Sequence, residues 1–86
     1  MKVALEAKPN PDFQPNTHNG RISIKRYIRE VSSLREASEV CQRFIKKNDL
    51  GGGNWTGGQV YDQGKQIAEI SYNGRAWDTE GKEIKI

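Results

Sequence analysis

Apolar residues recur at helical spacing in one stretch of the chain, between Ser33 and Gly51. At about 100° per residue they fall within an arc of about 140°, the width typical of a helix face that packs on a core. The members of this arc are Leu34, Ala37, Val40, Cys41, Phe44 and Ile45. Ser33 and Glu36 have the spacing of a capping box, and Asn48 or Gly51 can adopt the left-handed conformation that ends a helix. The pattern predicts one amphipathic helix that begins after Ser33 and ends near Asp49 to Gly51.

Alternation of apolar and polar residues predicts a strand at the beginning of the chain. In Lys2–Ala7 every second residue from Val3 onward is apolar, which is typical of a strand with one buried face. Residues 8–20 are rich in proline and asparagine and predict an extended loop. Phe13 is the only large apolar residue of that loop, and we expect it to anchor the loop to the core or to contact a partner.

Residues 21–31 are rich in β-branched and aromatic side chains, which predicts a second strand. In a regular register its three isoleucines share one face, and Arg26 interrupts that apolar set. A bulge near Lys25 would instead turn Tyr27 and Val31 toward the core. The sequence allows both registers.

The C-terminal half contains repeated turn signals. Residues 51–58 form a glycine-rich loop that we expect to have too little side chain to pack and an unusually free backbone. Turns are then predicted at residues 62–65, 73–74 and 78–81, where glycine occurs with asparagine or aspartate. These turns separate short apolar segments and predict a β-meander.

The dipeptide Asn73-Gly74 matches a two-residue type I′ hairpin turn. Such a turn would place Ile70 opposite Trp77 on the face that receives the helix, with Ala76 on the solvent face. On that solvent face, Glu69 and Asp78 would lie directly opposite each other.

These elements predict a single α+β domain over residues 1–86. One amphipathic helix packs on an antiparallel sheet of four to five strands that ends in a β-meander. We expect the strand before the helix to pair into the meander.

Composition restricts the class of protein. No apolar run approaches the ~20 residues of a membrane span, and the alternating first residues do not form a signal-peptide block. The single cysteine, Cys41, cannot form an internal disulfide, which is typical of a reducing compartment. We therefore expect a cytoplasmic protein with no membrane contact.

Positive charge is concentrated in one segment. The formal net charge is +3, but residues 21–47 contain eight basic and three acidic side chains. Arg21, Lys25 and Arg29 share one alternation with Tyr27, and three cations beside an aromatic ring suit a nucleic-acid backbone and a stacked base. The same charges also suit an edge strand that must not pair with a neighbouring molecule.

Three further residues are candidate contacts. Arg43 and Lys46 add cations on the exposed face of the helix. Trp55, between glycines, either folds back as a lid on the core or is exposed as a contact anchor. The candidate partner-binding or nucleic-acid-binding residues are Arg21, Lys25, Tyr27, Arg29, Arg43, Lys46 and Trp55.

Catalytic and cofactor motifs are incomplete. The glycine-rich loop lacks the lysine and hydroxyl residue that follow the last glycine of a P-loop. Cys41 and His18 lack an evident third group to orient them as a nucleophile pair, and one cysteine with one histidine is too few for a zinc site of the usual kind. We expect neither catalysis, nor a cofactor, nor a bound metal.

The run from Ser33 to Ser38, with Phe44 and residues 49–51, 60–62 and 70–77, resembles short uncharacterised proteins of bacteria and of phages or other mobile elements. The resemblance implies no ligand or catalytic residue. Many such proteins act by binding, and some phage proteins with one helix and a small sheet inhibit host defence complexes.

The chain is therefore predicted to be a non-catalytic binding module. We expect its basic face to contact a protein partner that has an acidic surface, and the module to be a monomer or a weak homodimer. The alternative is nucleic-acid binding through residues 21–29, with Tyr27 as the stacking ring.

Overall fold

The structure is a computed structural model that describes residues 1–8 and 24–86. In these ranges the chain forms one helix and six strands, which pair antiparallel in one sheet of order β2-β1-β3-β4-β5-β6. The elements are β1 (Lys2–Ala7), β2 (Ile24–Glu30), α1 (Leu34–Lys47), β3 (Gln59–Asp62), β4 (Lys65–Ile70), β5 (Ala76–Asp78) and β6 (Glu83–Ile84). The α+β class and the C-terminal meander are confirmed, with six strands instead of four to five. Most of the predicted loop 8–20, including Phe13, lies outside the described residues.

Strand β2 does not pair into the meander, so that prediction is wrong. Strand β1 lies between β2 and β3 and is antiparallel to both. Strands β2 and β3 are therefore parallel to each other, and such strands need a long crossover connection instead of a tight turn. Helix α1 supplies that connection across β1, which leaves β2 with β1 as its only neighbour among the described strands.

The helix begins at the predicted cap. The Ser33 hydroxyl accepts the backbone N–H of Glu36 at 3.1 Å. The Glu36 carboxylate accepts from the N–H and the hydroxyl of Ser32, at 2.6 and 2.8 Å, and not from the N–H of the cap residue that a capping box would use. The Glu36 carboxylate therefore holds Ser32, the residue before the cap, in position.

The helix ends slightly earlier than predicted, at Lys47. Asp49, with φ of 54°, adopts the left-handed conformation that was predicted for Asn48 or Gly51. The Asn48 side chain donates instead to the Phe44 carbonyl at 2.9 Å, and its backbone φ is −100°. The side-chain amide of Asn48 therefore satisfies a carbonyl in the last turn of the helix. The left-handed conformation occurs one residue later, at Asp49.

The predicted apolar arc of α1 packs on the sheet. All its members are buried except Leu34, which is partly buried against the same core. The opposing side chains come from the central strands and include Val3, Leu5, Val60, Ala68 and Ile70. In the part of the chain that the structure describes, no helix has the length and apolar content needed to cross a membrane.

Strand β2 contains a bulge near Lys25, which is one of the two registers that the sequence allows. Leu5 pairs with Tyr27 and Ala7 pairs with Ile24, so β2 has one extra residue in this interval. The bulge turns Tyr27 to the helix face, where its ring centroid is 6.1 Å from that of Phe44. The observed register is therefore the one with the bulge, and not the regular one.

Arg26 lies on the opposite face of the sheet and spans three strands. Its guanidinium donates to the Tyr61 hydroxyl at 2.6 Å, to Gln59 Oε1 at 3.0 Å and to Glu6 Oε1 at 3.4 Å. These bonds satisfy the charge that interrupts the apolar pattern of β2, and they tie the bulged part of β2 to β1 and β3.

The glycine-rich loop packs, contrary to expectation, because its backbone pairs with β1. The Gly58 N–H donates to the Ala4 carbonyl at 2.7 Å, and the Thr56 N–H donates to the Glu6 carbonyl at 3.3 Å. Asn54 is buried in the same loop. The loop is an irregular extension of β3 and not a free connection.

The hairpin at Asn73 has a three-residue loop, so the predicted two-residue turn is wrong. The Ser71 N–H donates to the Arg75 carbonyl at 2.9 Å, and only Gly74 of the two predicted turn residues has a positive φ, of 88°. The Asn73 side chain accepts from the Ser71 hydroxyl at 2.5 Å and from the Arg75 N–H at 3.4 Å. These side-chain bonds favour a turn with a single left-handed residue.

The longer loop shifts the register of β5 by one residue. Ile70 is opposite Ala76, and Glu69 is opposite Trp77. Trp77 therefore lies on the face away from the helix, and Ala76 is buried on the helix face, which reverses both predictions. The predicted Glu69–Asp78 pair does not form; Asp78 instead accepts backbone N–H groups within its own turn.

Candidate anion-binding groove

A groove separates the edge strand β2 from the helix. It has a volume of about 130 Å³, well below the ~300–1,000 Å³ of most small-molecule pockets, so it is large enough for a partner's side chain but not for a whole cofactor. We call it the β2–α1 groove. Its lining residues are Leu5, Tyr27, Arg29, Val40, Arg43, Phe44 and Lys47.

Two local features bring cations into this groove. The β2 bulge places Tyr27 on the helix face, and Arg29, two residues further along the strand, lies on the same face. Arg43 and Lys47 are one helical turn apart on the flank of α1 that faces β2. Arg29, Arg43 and Lys47, here called the groove cations, therefore surround one concave site.

The groove cations have no salt-bridge partner within residues 1–8 and 24–86. The ion pairs in these ranges join the N-terminus to Asp62, Arg26 to Glu6, and Arg75 to Glu83. Arg43 donates only a long hydrogen bond, at 3.4 Å, to the Glu39 backbone carbonyl. Within these ranges, therefore, no carboxylate is bound to the groove cations in place of an external anion.

The ionisation of Glu36 is affected by the positive charges of the groove. The Ser32 N–H and hydroxyl lower the pKa of Glu36, and the positive charges of Arg29 and Arg43 lower it further. Because Ser32 holds the carboxylate, Glu36 contacts neither arginine directly. Glu36 is therefore ionised at neutral pH, and its negative charge partly offsets the positive charge of the groove.

A row of aromatic rings extends from the groove into the core. Tyr27 meets the Phe44 ring edge-on, and the Phe44 and Trp55 centroids are 5.8 Å apart. The Trp55 Nε1–H donates to the Ile70 carbonyl at 3.2 Å. Of the two predicted roles of Trp55, the structure shows the first: a half-buried lid on the core.

The other candidate residues are dispersed. Lys46 lies on the opposite flank of α1, beside Tyr72. Lys25 is exposed in the bulge and does not line the groove, and Arg21 lies outside the described residues. Lys47 is the groove cation that the candidate set omits; its four-residue spacing from Arg43 is the signal that could have identified it.

The single cysteine is part of the core. Cys41 is fully buried, and burial raises the pKa of its thiol to about 12. The thiol therefore stays protonated at neutral pH, and His18 lies outside the described residues. Within the described ranges, no group of three histidine, cysteine, aspartate or glutamate residues is placed to hold a metal ion.

Fold and groove together define a small α+β protein with one helix on an antiparallel sheet and a basic groove at the sheet edge. Comparison of the chain with protein-family models, curated proteins and solved structures finds no match. The resemblance to short bacterial and phage proteins stays a prediction.

Proposed function

We propose that this protein is a non-catalytic binding module that holds an acidic protein partner in the β2–α1 groove. The observation that carries this proposal is the convergence of Arg29, Arg43 and Lys47 on one concave site without a salt bridge in the described ranges. A carboxylate bound in this groove would be attracted by all three cations.

The composition of the groove suits a protein partner. Arginine binds carboxylates through two parallel hydrogen bonds, and such charge-assisted bonds are stronger than neutral ones. Tyr27, Val40 and Phe44 add apolar surface between the cations, and tyrosine with arginine is typical of interface hot spots. Because exposed ion pairs contribute about 0.2–1 kcal/mol each, three of them amount to roughly tenfold in affinity.

Nucleic-acid binding is the second candidate, and the exposure of Tyr27 favours it. This side chain is 48% exposed beside Arg29. A ring in such a position can stack on a base while the cations contact the backbone. Binding of this kind would weaken steeply with salt, because several phosphate counterions are released together.

Removal of the groove cations tests the proposal. We expect the triple variant Arg29→Gln, Arg43→Gln, Lys47→Gln to bind a fluorescein-labelled peptide of alternating glutamate and valine about tenfold more weakly, measured by anisotropy at about 150 mM salt. The matched control changes three exposed lysines elsewhere, Lys65, Lys82 and Lys85, to glutamine. Both variants lower the formal net charge from +3 to 0, because each removes three positive charges.

The control variant distinguishes binding at the groove from a general effect of the protein's net charge. We expect the control variant to keep its affinity within about threefold of the wild type, because the effect of net charge alone is screened at this ionic strength. Equal weakening of both variants would contradict a groove site. Tighter binding of labelled oligothymidylate than of the peptide, with a steep salt dependence, would favour the nucleic-acid alternative.

A further inference from the structure

The outer edge of β2 is paired with no other strand of residues 1–8 and 24–86. The Val31 N–H donates to the Met1 carbonyl at 2.9 Å, and the β1–β2 register continues from there as an unbroken antiparallel ladder to Tyr27. In such a ladder the N–H and C=O of one residue point to the same side, and successive residues alternate. Tyr27 and Arg29 therefore bond β1, whereas the backbone groups of Ile28 and Glu30 point away from it, where the structure describes no other strand.

The side chains on this edge also favour a partner strand. Tyr27 is 48% exposed on the helix face, and Ile28 is 46% exposed on the opposite face. An edge with unpaired backbone groups and exposed apolar side chains is a template for the addition of a strand.

The positive charge of the groove determines which kind of strand can bind beside β2. A strand added beside β2 would direct every second side chain to the helix face, toward the groove cations, and the intervening ones to the face of Ile28. Acidic residues match the first set of positions, and apolar residues match the second. A second copy of this chain, paired through its own β2, would bring two sets of groove cations onto one face, and their repulsion disfavours that arrangement.

We propose that an extended acidic segment of a partner protein binds along β2 as an additional strand. Its glutamate or aspartate side chains alternate into the β2–α1 groove, and its apolar side chains cover Ile28. This inference rests on the proposed function, binding of an acidic protein, and adds the backbone pairing that would position the segment.

The change Ile28→Pro tests the backbone pairing. Proline removes the outward N–H, whereas the hydrogen bonds to β1 come from neighbouring residues, so the variant should keep the fold. We expect it to bind the glutamate–valine peptide about tenfold more weakly. The comparison variant Ile28→Thr also loses the apolar side chain but keeps the N–H, so we expect Ile28→Pro to bind at least about threefold more weakly than Ile28→Thr. Far-UV circular dichroism verifies that both variants are folded.

A modified peptide provides a test that needs no variant of the protein. The same peptide with N-methylated valines has equal charge but cannot pair as a strand, and we expect it to bind the wild type about tenfold more weakly. Amide exchange adds a second readout. Binding of the unmodified peptide should slow exchange at Ile28 and Glu30, whereas Tyr27 and Arg29 are protected in the free protein as well.

The outcomes separate the two proposals. If the groove triple variant loses the peptide while Ile28→Pro and N-methylation change nothing, the strand inference is overturned and the proposed function stands. If the wild type binds neither peptide, both are overturned. A concentration-dependent dimer that Ile28→Pro dissociates would make a second copy the occupant and would also overturn the inference.

Discussion

Replacing Gly58 with alanine is expected to lower the free energy of unfolding by about 3–4 kcal/mol. Gly58 has a φ of 101°, and a Cβ at this position would overlap the Ile70 carbonyl oxygen. The backbone cannot move away, because the Gly58 N–H bonds the Ala4 carbonyl at 2.7 Å and its carbonyl accepts the Ile70 N–H at 2.8 Å. The substitution therefore strains the backbone just before β3, where Gly58 bonds both β1 and β4.

Gly64→Ala is the matched control for this prediction. Gly64 also has a positive φ, of 79°, but apart from Gly64 itself and its two chain neighbours no atom of the described residues lies within 4 Å of the place that an added methyl group would occupy. This variant should cost only the left-handed strain of about 1 kcal/mol. Urea unfolding followed by tryptophan fluorescence measures both variants, and equal losses would contradict the tight packing of the glycine-rich loop.

Replacing Leu5 with alanine is expected to cost about 3 kcal/mol of unfolding free energy, in the middle of the range for large-to-small changes in a core. Leu5 is 1% exposed on β1, the strand that α1 crosses. Little backbone movement can refill the space, since β1 is paired on both sides and covered by the helix.

Ile28→Ala is the control for the core change, because it also shortens a branched aliphatic side chain but on the exposed edge. We expect a loss below about 1 kcal/mol. Chemical unfolding compares the two variants under the same conditions. A Leu5→Ala loss as small as that of the edge variant would mean that β1 is not at the centre of the core.

Features that depend on neighbouring residues could be predicted from the sequence. The apolar arc of α1, the Ser33 cap and the span of β1 follow from local periodicity and capping chemistry, and the structure confirms them. The turn at residues 62–65 is also local, and Gln63 and Gly64 both have positive φ, as a type I′ turn requires.

Features that depend on distant contacts could not be predicted. The loop at Asn73 contacts the distant helix, where the Ser38 hydroxyl donates to the Gly74 carbonyl at 2.6 Å, and its three-residue length moves Trp77 to the other face of the sheet. Lys47, and not Lys46, lines the groove because the crossover over β1 decides which flank of α1 faces β2. Arg26 joins Tyr61 across β1, which only the strand order allows.

The presence of an acidic partner in the β2–α1 groove is tested most directly by amide chemical-shift mapping of the ¹⁵N-labelled protein with the glutamate–valine peptide. We expect the largest shift changes at Tyr27, Arg29, Arg43 and Lys47, which lie on two different elements but line one groove. Changes centred on Trp77, on the opposite face of the sheet, or no changes at high peptide concentration, would contradict this site.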